Sequence, residues 1–361
     1  MRHPTPRNLG TWQQRCRGGY FKRIFPSTHT GADEPMGSIV AENRKSLMLF
    51  SGQGFPELAE EIGQVLGVAP TPSDNYEFAN GEIFVRFKDS VRGSDAFVVQ
   101  SITEGVNRWV METLIMIDAL KRGSAKRITV VLPFYPYSRQ DKKHRGREPI
   151  SARLVADLLK TAGANRILTV DLHTAQIQGF FDGPVDHLFA MDILAQHVQK
   201  KFEGRPMTVV APDSGRVRVA ERWTDRLGGC PLAFIHKTRD PMKPNQVVAN
   251  RVVGEVEGRV CLIVDDMIDT GGTITKAADI LFDTGAADVI VASTHALLSD
   301  PATERLKNSR ISELVVTNTL PLPPEKRLDK ITVLSIAPLL ARAIREVFDD
   351  GSVTTLFGGL S

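Results

Sequence analysis

The sequence has little cysteine, few aromatic residues and no long apolar run, and each shortage excludes a class of protein. Its 361 residues include only three cysteines, Cys16, Cys230 and Cys261, with no CxxC pair, which argues against a zinc site or a secreted disulfide framework. A cytoplasmic, reducing location fits this cysteine usage best. No apolar run approaches the ~18 residues that a membrane span needs, so we expect no membrane association. With 42% hydrophobic, 24% charged and 7% aromatic residues, the composition is typical of a globular protein.

The net charge of +3 is unevenly distributed. Residues 1–35 contain six basic and two acidic side chains, a net charge of +4, so the rest of the chain carries −1. A nearly neutral body argues against nucleic acid as a partner. We expect residues 1–35 to be a disordered N-terminal extension. The alternatives are an organellar transit peptide, although the segment has little amphipathic pattern, and a start set upstream of Met36.

From Ser46 onward, short apolar runs alternate with segments of helical period. Continuous apolar runs are typical of strands that are covered on both faces of a parallel sheet, and their alternation with helices predicts a doubly wound α/β fold. The runs are 46–52, 95–101, 127–133, 166–173, 207–213, 231–237, 259–266, 287–295, 312–318 and 330–336. Ten strands exceed what one sheet commonly holds. At ~150 residues per domain the length also suggests two domains, which we place at 46–189 and 190–350, with a C-terminal tail at 351–361.

Two segments depart from this alternation. YEFANGEIFVRF centres on Asn80-Gly81, the strongest hairpin signal in the chain. The polar segment TRDPMKPNQVVAN, which begins at Thr238, has neither a helix pattern nor a strand pattern.

The segment VDDMIDTGGT follows a predicted strand and opens a predicted helix, where ligands bind in open parallel sheets. Two glycines allow a tight turn, so that backbone N–H groups, threonine hydroxyls and the helix N-terminus can surround a phosphate. Asp265 and Asp266 suit sugar hydroxyls or a magnesium ion beside that phosphate. A phosphorylated pentose satisfies both halves of the site. The alternative is an ordinary strand-to-helix turn with a capping aspartate.

This segment resembles the phosphoribosyl-diphosphate loop of the type I phosphoribosyltransferase fold. In order along the chain stand EFANGE, PFYPYSRQDKK, REPISARLVADLL, TVDLHTAQIQGFFDGPVD, PDSGRVRVA and HKTR. Together these motifs resemble the class I ribose-phosphate pyrophosphokinase family over roughly residues 46 to 361. The resemblance implies two domains of the phosphoribosyltransferase type. It also implies Mg²⁺-dependent transfer of diphosphate from ATP to the C1 hydroxyl of ribose 5-phosphate.

The resemblance assigns residues to the two substrates. For ATP these are Arg139 and Gln140, in a basic loop after a strand, and the hairpin residues Phe78, Asn80, Gly81 and Glu82, which contribute in part across a subunit interface. For ribose 5-phosphate they are Arg239, Asp265, Asp266, Asp269, Thr270, Gly271, Gly272 and Thr273. A solvated basic loop and a plain hairpin turn are the alternatives.

For the metal, the resemblance implies His173 and Asp213, and Asp171 is a weaker candidate. Imidazole is a poor ligand for Mg²⁺, so a contact through water or with phosphate is the alternative for His173. Many family members have glycine where PDSGRV has Arg216, and we expect this departure to affect only the local loop around Asp213.

Lys237 and Arg239 are the predicted catalytic cations, on a loop suited to stabilising charge on transferring phosphoryl oxygens. Surface charge beside a loop is the alternative. Ser90 and Arg92 match a regulatory site, which implies phosphate and ADP as effectors, with exposed turn residues as the alternative. The resemblance also implies a homohexamer built from dimers. Two rival functions stay open: a nucleobase phosphoribosyltransferase and a catalytically silent regulatory homologue.

Overall fold

The structure, a computed structural model, describes residues 45–239 and 247–357. The predicted extension, residues 1–35, lies outside this part of the chain. The described residues belong to one compact unit that begins at Lys45. No helix within them is long and apolar enough to cross a membrane.

Strands and helices alternate along most of the described chain. The strands are β1 (Leu47–Ser51), β2 (Ser73–Glu77), β3 (Ile83–Phe87), β4 (Asp95–Val99), β5 (Arg127–Leu132), β6 (Arg166–Val170), β7 (Val185–Leu188), β8 (Met207–Ala211), β9 (Leu232–Arg239), β10 (Val247–Val253), β11 (Val260–Ile268), β12 (Asp288–Ala296), β13 (Glu313–Thr317) and β14 (Ile331–Leu334). The α-helices are α1 (Pro56–Leu66), α2 (Val106–Arg122), α3 (Ser151–Ala162), α4 (Met191–Lys201), α5 (Val217–Arg226), α6 (Gly272–Asp283), α7 (Ala302–Lys307) and α8 (Ala337–Phe348). Four short 3₁₀ helices also occur there, at Ala175–Phe180, Ser214–Arg216, Pro324–Lys326 and Val353–Phe357.

The strands form two large sheets and one hairpin. The first sheet has the order β1-β4-β5-β6-β7 and is parallel throughout. The second has the order β10-β9-β8-β11-β12-β13-β14 and is parallel except for the antiparallel pair β9–β10. Strands β2 and β3 pair as the predicted hairpin. The ten predicted strands, the hairpin and the α/β class are therefore confirmed.

Two strands do not follow the predicted pattern. The expectation that the segment after Lys237 lacks a strand is wrong, because β9 continues to Arg239 and β10 begins at Val247. Strand β10 lies at the sheet edge and includes the polar residues Asn250 and Arg251, so its sequence is not a continuous apolar run. Strand β7 is also an edge strand and has only four residues.

The core follows from the alternation of side chains along buried strands. In β11, Leu262 and Val264 join a cluster shared by both sheets, whereas Cys261 and Ile263 face a separate cluster on the other side. In β4, Phe97 belongs to the shared cluster, and the neighbouring Val98 faces a third. The two sheets therefore share one apolar layer.

The shared layer also bears on the predicted domain limits. The first sheet ends at Leu188 and the second begins at Met207, so the predicted boundary near residue 190 falls between them. Helix α8 nevertheless packs against α1, and Val353 and Leu356 of the predicted tail pack against the shared layer. The division at 190 and the tail stay predictions.

Candidate active site

The carboxyl ends of strands from both sheets meet at the candidate site. His173 follows β6 of the first sheet, and Asp266 lies near the end of β11 of the second. Nδ1 of His173 is 2.8 Å from Oδ2 of Asp266. A second contact nearby joins His295 of β12 to the carbonyl oxygen of Val170, with Nε2 at 3.0 Å. His173 and Asp266, which follow or end different predicted strands, therefore belong to one site.

Arg216 occupies the centre of this site. Its Nε lies 3.0 Å from Oδ1 of Asp265, and its Nη2 forms an ion pair with Oδ1 of Asp266. Nη2 is also 3.2 Å from Nδ1 of His173. The side chain is only 16% exposed. The expectation that Arg216 affects only the loop around Asp213 is therefore wrong, because a long guanidinium side chain reaches β11 and the end of β6.

Asp266 uses both carboxylate oxygens within the protein. Oδ1 accepts from the backbone N–H of Met267 at 2.9 Å as well as pairing with Arg216, and Oδ2 faces His173. The side chain is 8% exposed. Burial disfavours the Asp266 carboxylate, but the hydrogen bond from His173 and the charge of Arg216 outweigh burial and hold its pKa below the ordinary value. Oδ2 can accept one more hydrogen bond, but the Asp266 side chain is less exposed than that of Asp265, 8% against 16%.

Asp265 is arranged differently from its neighbour. Its contacts use Oδ1, which pairs with Arg216 and accepts from the backbone N–H of Asp266 at 2.9 Å. No N–H group or hydroxyl of the described residues donates to Oδ2, although the carboxyl group also forms a hydrogen bond with that of Asp266. Burial raises the pKa of Asp265 to about 8, because the adjacent charge of Asp266 and the hydrogen bond between the two carboxyl groups add to the effect of burial and outweigh the charge of Arg216. Asp265 is therefore the acid of this pair with an oxygen left for a ligand.

The other two predicted metal residues already have structural contacts. Oδ2 of Asp171 accepts from the backbone N–H of Ala190 at 3.0 Å and from Oγ1 of Thr294 at 2.6 Å. Oδ1 of Asp213 accepts from the backbone N–H of Gly215 at 2.9 Å and caps the short helix that leads to Arg216. The described residues contain no group of three or more His, Cys, Asp or Glu side chains placed to hold a metal ion.

The predicted phosphate loop lies at the N-terminus of α6. Gly271 caps this 12-residue helix with φ +71°, a conformation that favours glycine. The nearest atoms to a side chain added at Gly271 belong to Ala302, at 3.7 Å, so conformation rather than space requires glycine there. Thr270 and Thr273 are exposed beside the helix N-terminus. The loop thus offers hydroxyl groups and backbone N–H groups to an anion.

Arg305 is a residue near this loop that the sequence analysis missed. It lies in α7, and its Nη1 donates to the carbonyl oxygen of Thr270 at 3.0 Å. The same Nη1 is 3.3 Å from the position that a Cβ atom on Gly272 would take. No motif in the sequence connects the ATERLK segment with the loop, so only the fold reveals this contact.

A further ion pair joins the two predicted substrate loops. Nη1 of Arg139, predicted to contact ATP, lies 2.5 Å from Oδ2 of Asp269, predicted to contact ribose 5-phosphate. Partial burial opposes ionisation of Asp269, but hydrogen bonds from Ser299 and Arg139 outweigh it and lower its pKa. Oε1 of Gln140 accepts from Oγ of Ser151 at 2.6 Å. The structure therefore places Arg139, and not the hairpin, beside the phosphate loop.

The hairpin residues line a separate groove. Phe78, Gly81 and Glu82 face α2 across an open groove of about 660 Å³. Asn80 accepts from the backbone N–H of Glu82 at 3.2 Å, which fixes the turn. Within the described residues, no hydrogen bond or ion pair joins this turn to Arg139 or to the phosphate loop.

The remaining predicted residues lie away from this centre or outside the described side chains. Ser90 and Arg92 are exposed just before β4, at the amino end of the first sheet, and Nη1 of Arg92 donates to Oγ of Ser124 at 3.4 Å. Lys237 and Arg239 belong to β9 by their backbone, but their side chains lie outside the described residues.

Comparison with known proteins decides between the families that this geometry allows. The family model for the N-terminal domain of ribose phosphate pyrophosphokinase matches residues 47–163, and that for the phosphoribosyl synthetase-associated domain matches residues 232–358. A ribose-phosphate pyrophosphokinase of Mycobacterium tuberculosis is 66% identical over 318 residues, which cover 88% of this chain and 98% of that protein. The chain belongs to the ribose-phosphate pyrophosphokinase family.

Other members of the ribose-phosphate pyrophosphokinase family agree with this assignment. The Streptomyces coelicolor protein is 65% identical over 322 residues, 89% of this chain and 99% of that protein. The crystal structure of phosphoribosylpyrophosphate synthetase from Mycobacterium smegmatis is similar with a TM-score of 0.82 and 63% identity, covering 85% of this chain and all of that one. This similarity and the sheet topology confirm the predicted fold class.

Proposed function

We propose that this chain transfers the diphosphate group of MgATP to the C1 hydroxyl of ribose 5-phosphate, giving 5-phosphoribosyl 1-diphosphate and AMP for nucleotide biosynthesis. The observation that carries the proposal is the 2.5 Å contact between Arg139 and Asp269, which joins a loop of the first sheet to the phosphate loop of the second. A transfer between two substrates needs both to be held at one place.

The phosphate loop and Asp265 support the ribose 5-phosphate half of the site. The N-terminus of α6 suits the 5-phosphate, with Thr270 and Thr273 beside it. Oδ2 of Asp265 is available to accept hydrogen bonds from the ribose hydroxyls. No feature of the described residues favours a nucleobase phosphoribosyltransferase or a silent homologue.

The donor set near His173 fits a magnesium ion that arrives with the nucleotide. Mg²⁺ commonly takes one or two carboxylates and completes its shell with substrate phosphates and water. Asp213 has Oδ2 left after capping, and His173 is oriented through Nδ1 by a carboxylate, as is common for histidines at metal sites. Asp171 fits less well because Oδ2 already has two donors. When bound, the ion neutralises charge on the polyphosphate.

The protein's own contribution is positioning and charge stabilisation at the β-phosphorus. Arg139 and Gln140 contact the nucleotide in this proposal, with Phe78, Asn80, Gly81 and Glu82 supplied in part by a neighbouring subunit. Lys237 and Arg239 stabilise the charge on the transferring group, with Arg239 also contacting ribose 5-phosphate. A homohexamer built from dimers, a cytoplasmic location, and phosphate and ADP as effectors at Ser90 and Arg92 belong to the same proposal.

AMP release tests the function directly. The full chain, incubated with MgATP, should release AMP only when ribose 5-phosphate is present. Asp265→Asn, which replaces the carboxyl group but keeps the side-chain shape, should raise KM for ribose 5-phosphate about fivefold or more, the value of one hydrogen bond. AMP formation that does not depend on ribose 5-phosphate would contradict the proposal. Consumption of phosphoribosyl diphosphate with a nucleobase would favour the transferase instead.

A further inference from the structure

The position of Arg216 follows from the turn that precedes it. Asp213 caps the 3₁₀ helix Ser214–Arg216 through the backbone N–H of Gly215, and α5 begins at the next residue, Val217. The Arg216 side chain extends from this junction to the end of β11. The capped turn therefore fixes where the guanidinium lies.

The guanidinium spans two buried acids that would otherwise repel each other. Asp265 and Asp266 are adjacent, and their side chains are 16% and 8% exposed. Nε of Arg216 pairs with the first and Nη2 with the second. A planar guanidinium presents these donors in a fixed geometry, which a lysine ammonium does not reproduce. One residue thus sets the orientation of both carboxylates.

This orientation assigns different tasks to the two acids. Asp266 is held on both oxygens, by Arg216 and Met267 on one side and by His173 on the other. Asp265 is held on Oδ1 by Arg216 and by the backbone N–H of Asp266, and no N–H group or hydroxyl of the described residues donates to its Oδ2. Arg216 forms no hydrogen bond or ion pair with the phosphate loop, residues 270–273, in the described part of the chain. Recognition of sugar hydroxyls and recognition of phosphate are therefore structurally separate.

We propose that Arg216 is a positioning residue for sugar recognition: it clamps the Asp265–Asp266 pair so that Oδ2 of Asp265 meets the ribose hydroxyls. The inference rests on the proposed function for the identity of the sugar phosphate. According to this inference, Arg216 contributes to recognition of the sugar hydroxyls and does not contribute to recognition of the phosphate.

Calorimetry with two ligands tests this division. Ribose 5-phosphate carries the hydroxyls, whereas tetrahydrofurfuryl phosphate keeps a five-membered ring and a phosphate but has no sugar hydroxyl. Arg216→Lys retains a positive charge among the buried acids and should fold. It should raise Kd for ribose 5-phosphate about fivefold, the value of one hydrogen bond, and change Kd for tetrahydrofurfuryl phosphate less than about twofold. Arg216→Ala should have a larger effect in the same direction.

Two controls locate the effect. Arg218→Ala, which removes an exposed arginine on the same helix, should leave both dissociation constants unchanged. In an Asp265→Asn background, Arg216→Lys should add less than about twofold to Kd for ribose 5-phosphate, because the carboxyl group through which Arg216 acts is gone.

The outcomes separate this inference from the function on which it rests. Equal weakening of both ligands by Arg216→Lys, or unchanged binding of ribose 5-phosphate, overturns the role of Arg216 while wild-type AMP formation still supports the function. If the wild type forms no AMP with ribose 5-phosphate, the proposed function itself is wrong.

Discussion

Gly271 provides a sharp test of the phosphate loop, because its backbone conformation, and not a lack of space around it, disfavours a side chain. It has φ +71° at the N-cap of α6, and an added Cβ would lie 3.7 Å from the nearest atoms, an ordinary contact distance. Replacing it by alanine costs about 1–2 kcal/mol, the usual difference for an L-residue in the left-handed region. Valine costs more, since its branched side chain is a poorer fit to this conformation.

If the loop relaxes to avoid this conformation, the N–H groups that face the phosphate lose their alignment. We expect Gly271→Val to raise Kd for ribose 5-phosphate by at least about tenfold, the value of one hydrogen bond to a charged group, and to leave Kd for MgATP within about threefold. Calorimetry of each ligand measures both constants, and denaturant unfolding measures the loss of stability.

Gly67 supplies a matched control. It caps α1 with φ +73°, its N–H donates to Gly63 of the same helix, and an added Cβ would meet no atom within 4 Å beyond the two neighbouring residues. Gly67→Ala and Gly271→Ala should therefore lower the free energy of unfolding by similar amounts, about 1–2 kcal/mol each, but only the second should weaken ribose 5-phosphate binding. Unchanged ribose 5-phosphate affinity in Gly271→Val would refute the assignment of the loop.

Four other variants test the remaining assignments. A chain beginning at Met36 should keep full activity and assembly, because residues 1–35 have no apolar face, and loss of either would show that the extension matters. Arg92→Ala should weaken ADP inhibition or phosphate activation without changing substrate KM values. An unaltered response to both effectors would mean that Arg92 is an ordinary exposed turn residue. Lys237→Ala and Arg239→Ala should each lower the single-turnover rate of AMP formation by roughly 10²–10⁴ with much smaller changes in ligand Kd, and a rate within about threefold of wild type would remove that residue from the active site.

Much of the fold was predictable because buried parallel strands have continuous apolar sequences. Runs such as RVCLIV are apolar at successive positions, since residues on both faces of the strand are covered by other elements. The same criterion missed β10, an antiparallel edge strand with polar residues, and the four-residue β7. It found the parallel edge strands β1 and β14, so it fails where a strand is short or polar and not at every sheet edge.

The site was predictable in its parts but not in its assembly. The DTGGT turn identified the phosphate loop, because its glycines and hydroxyls are explained by anion binding. The contact between His173 and Asp266 joins residues 93 positions apart in different sheets, and sequence spacing does not report such a distance. The sequence showed Arg216 as a departure from the family pattern. Its contacts with Asp265 and Asp266 depend on the direction in which its side chain leaves the capped turn, which the sequence does not specify.

Transfer of ATP labelled at the β-phosphorus tests the central claim most directly. After reaction of the full chain with labelled MgATP and ribose 5-phosphate, the label should be found in a diphosphate ester of the sugar, formed in equal amount with unlabelled AMP. Label recovered in ADP would indicate transfer of a single phosphoryl group, and label released as free diphosphate would indicate hydrolysis. Either result would contradict the account.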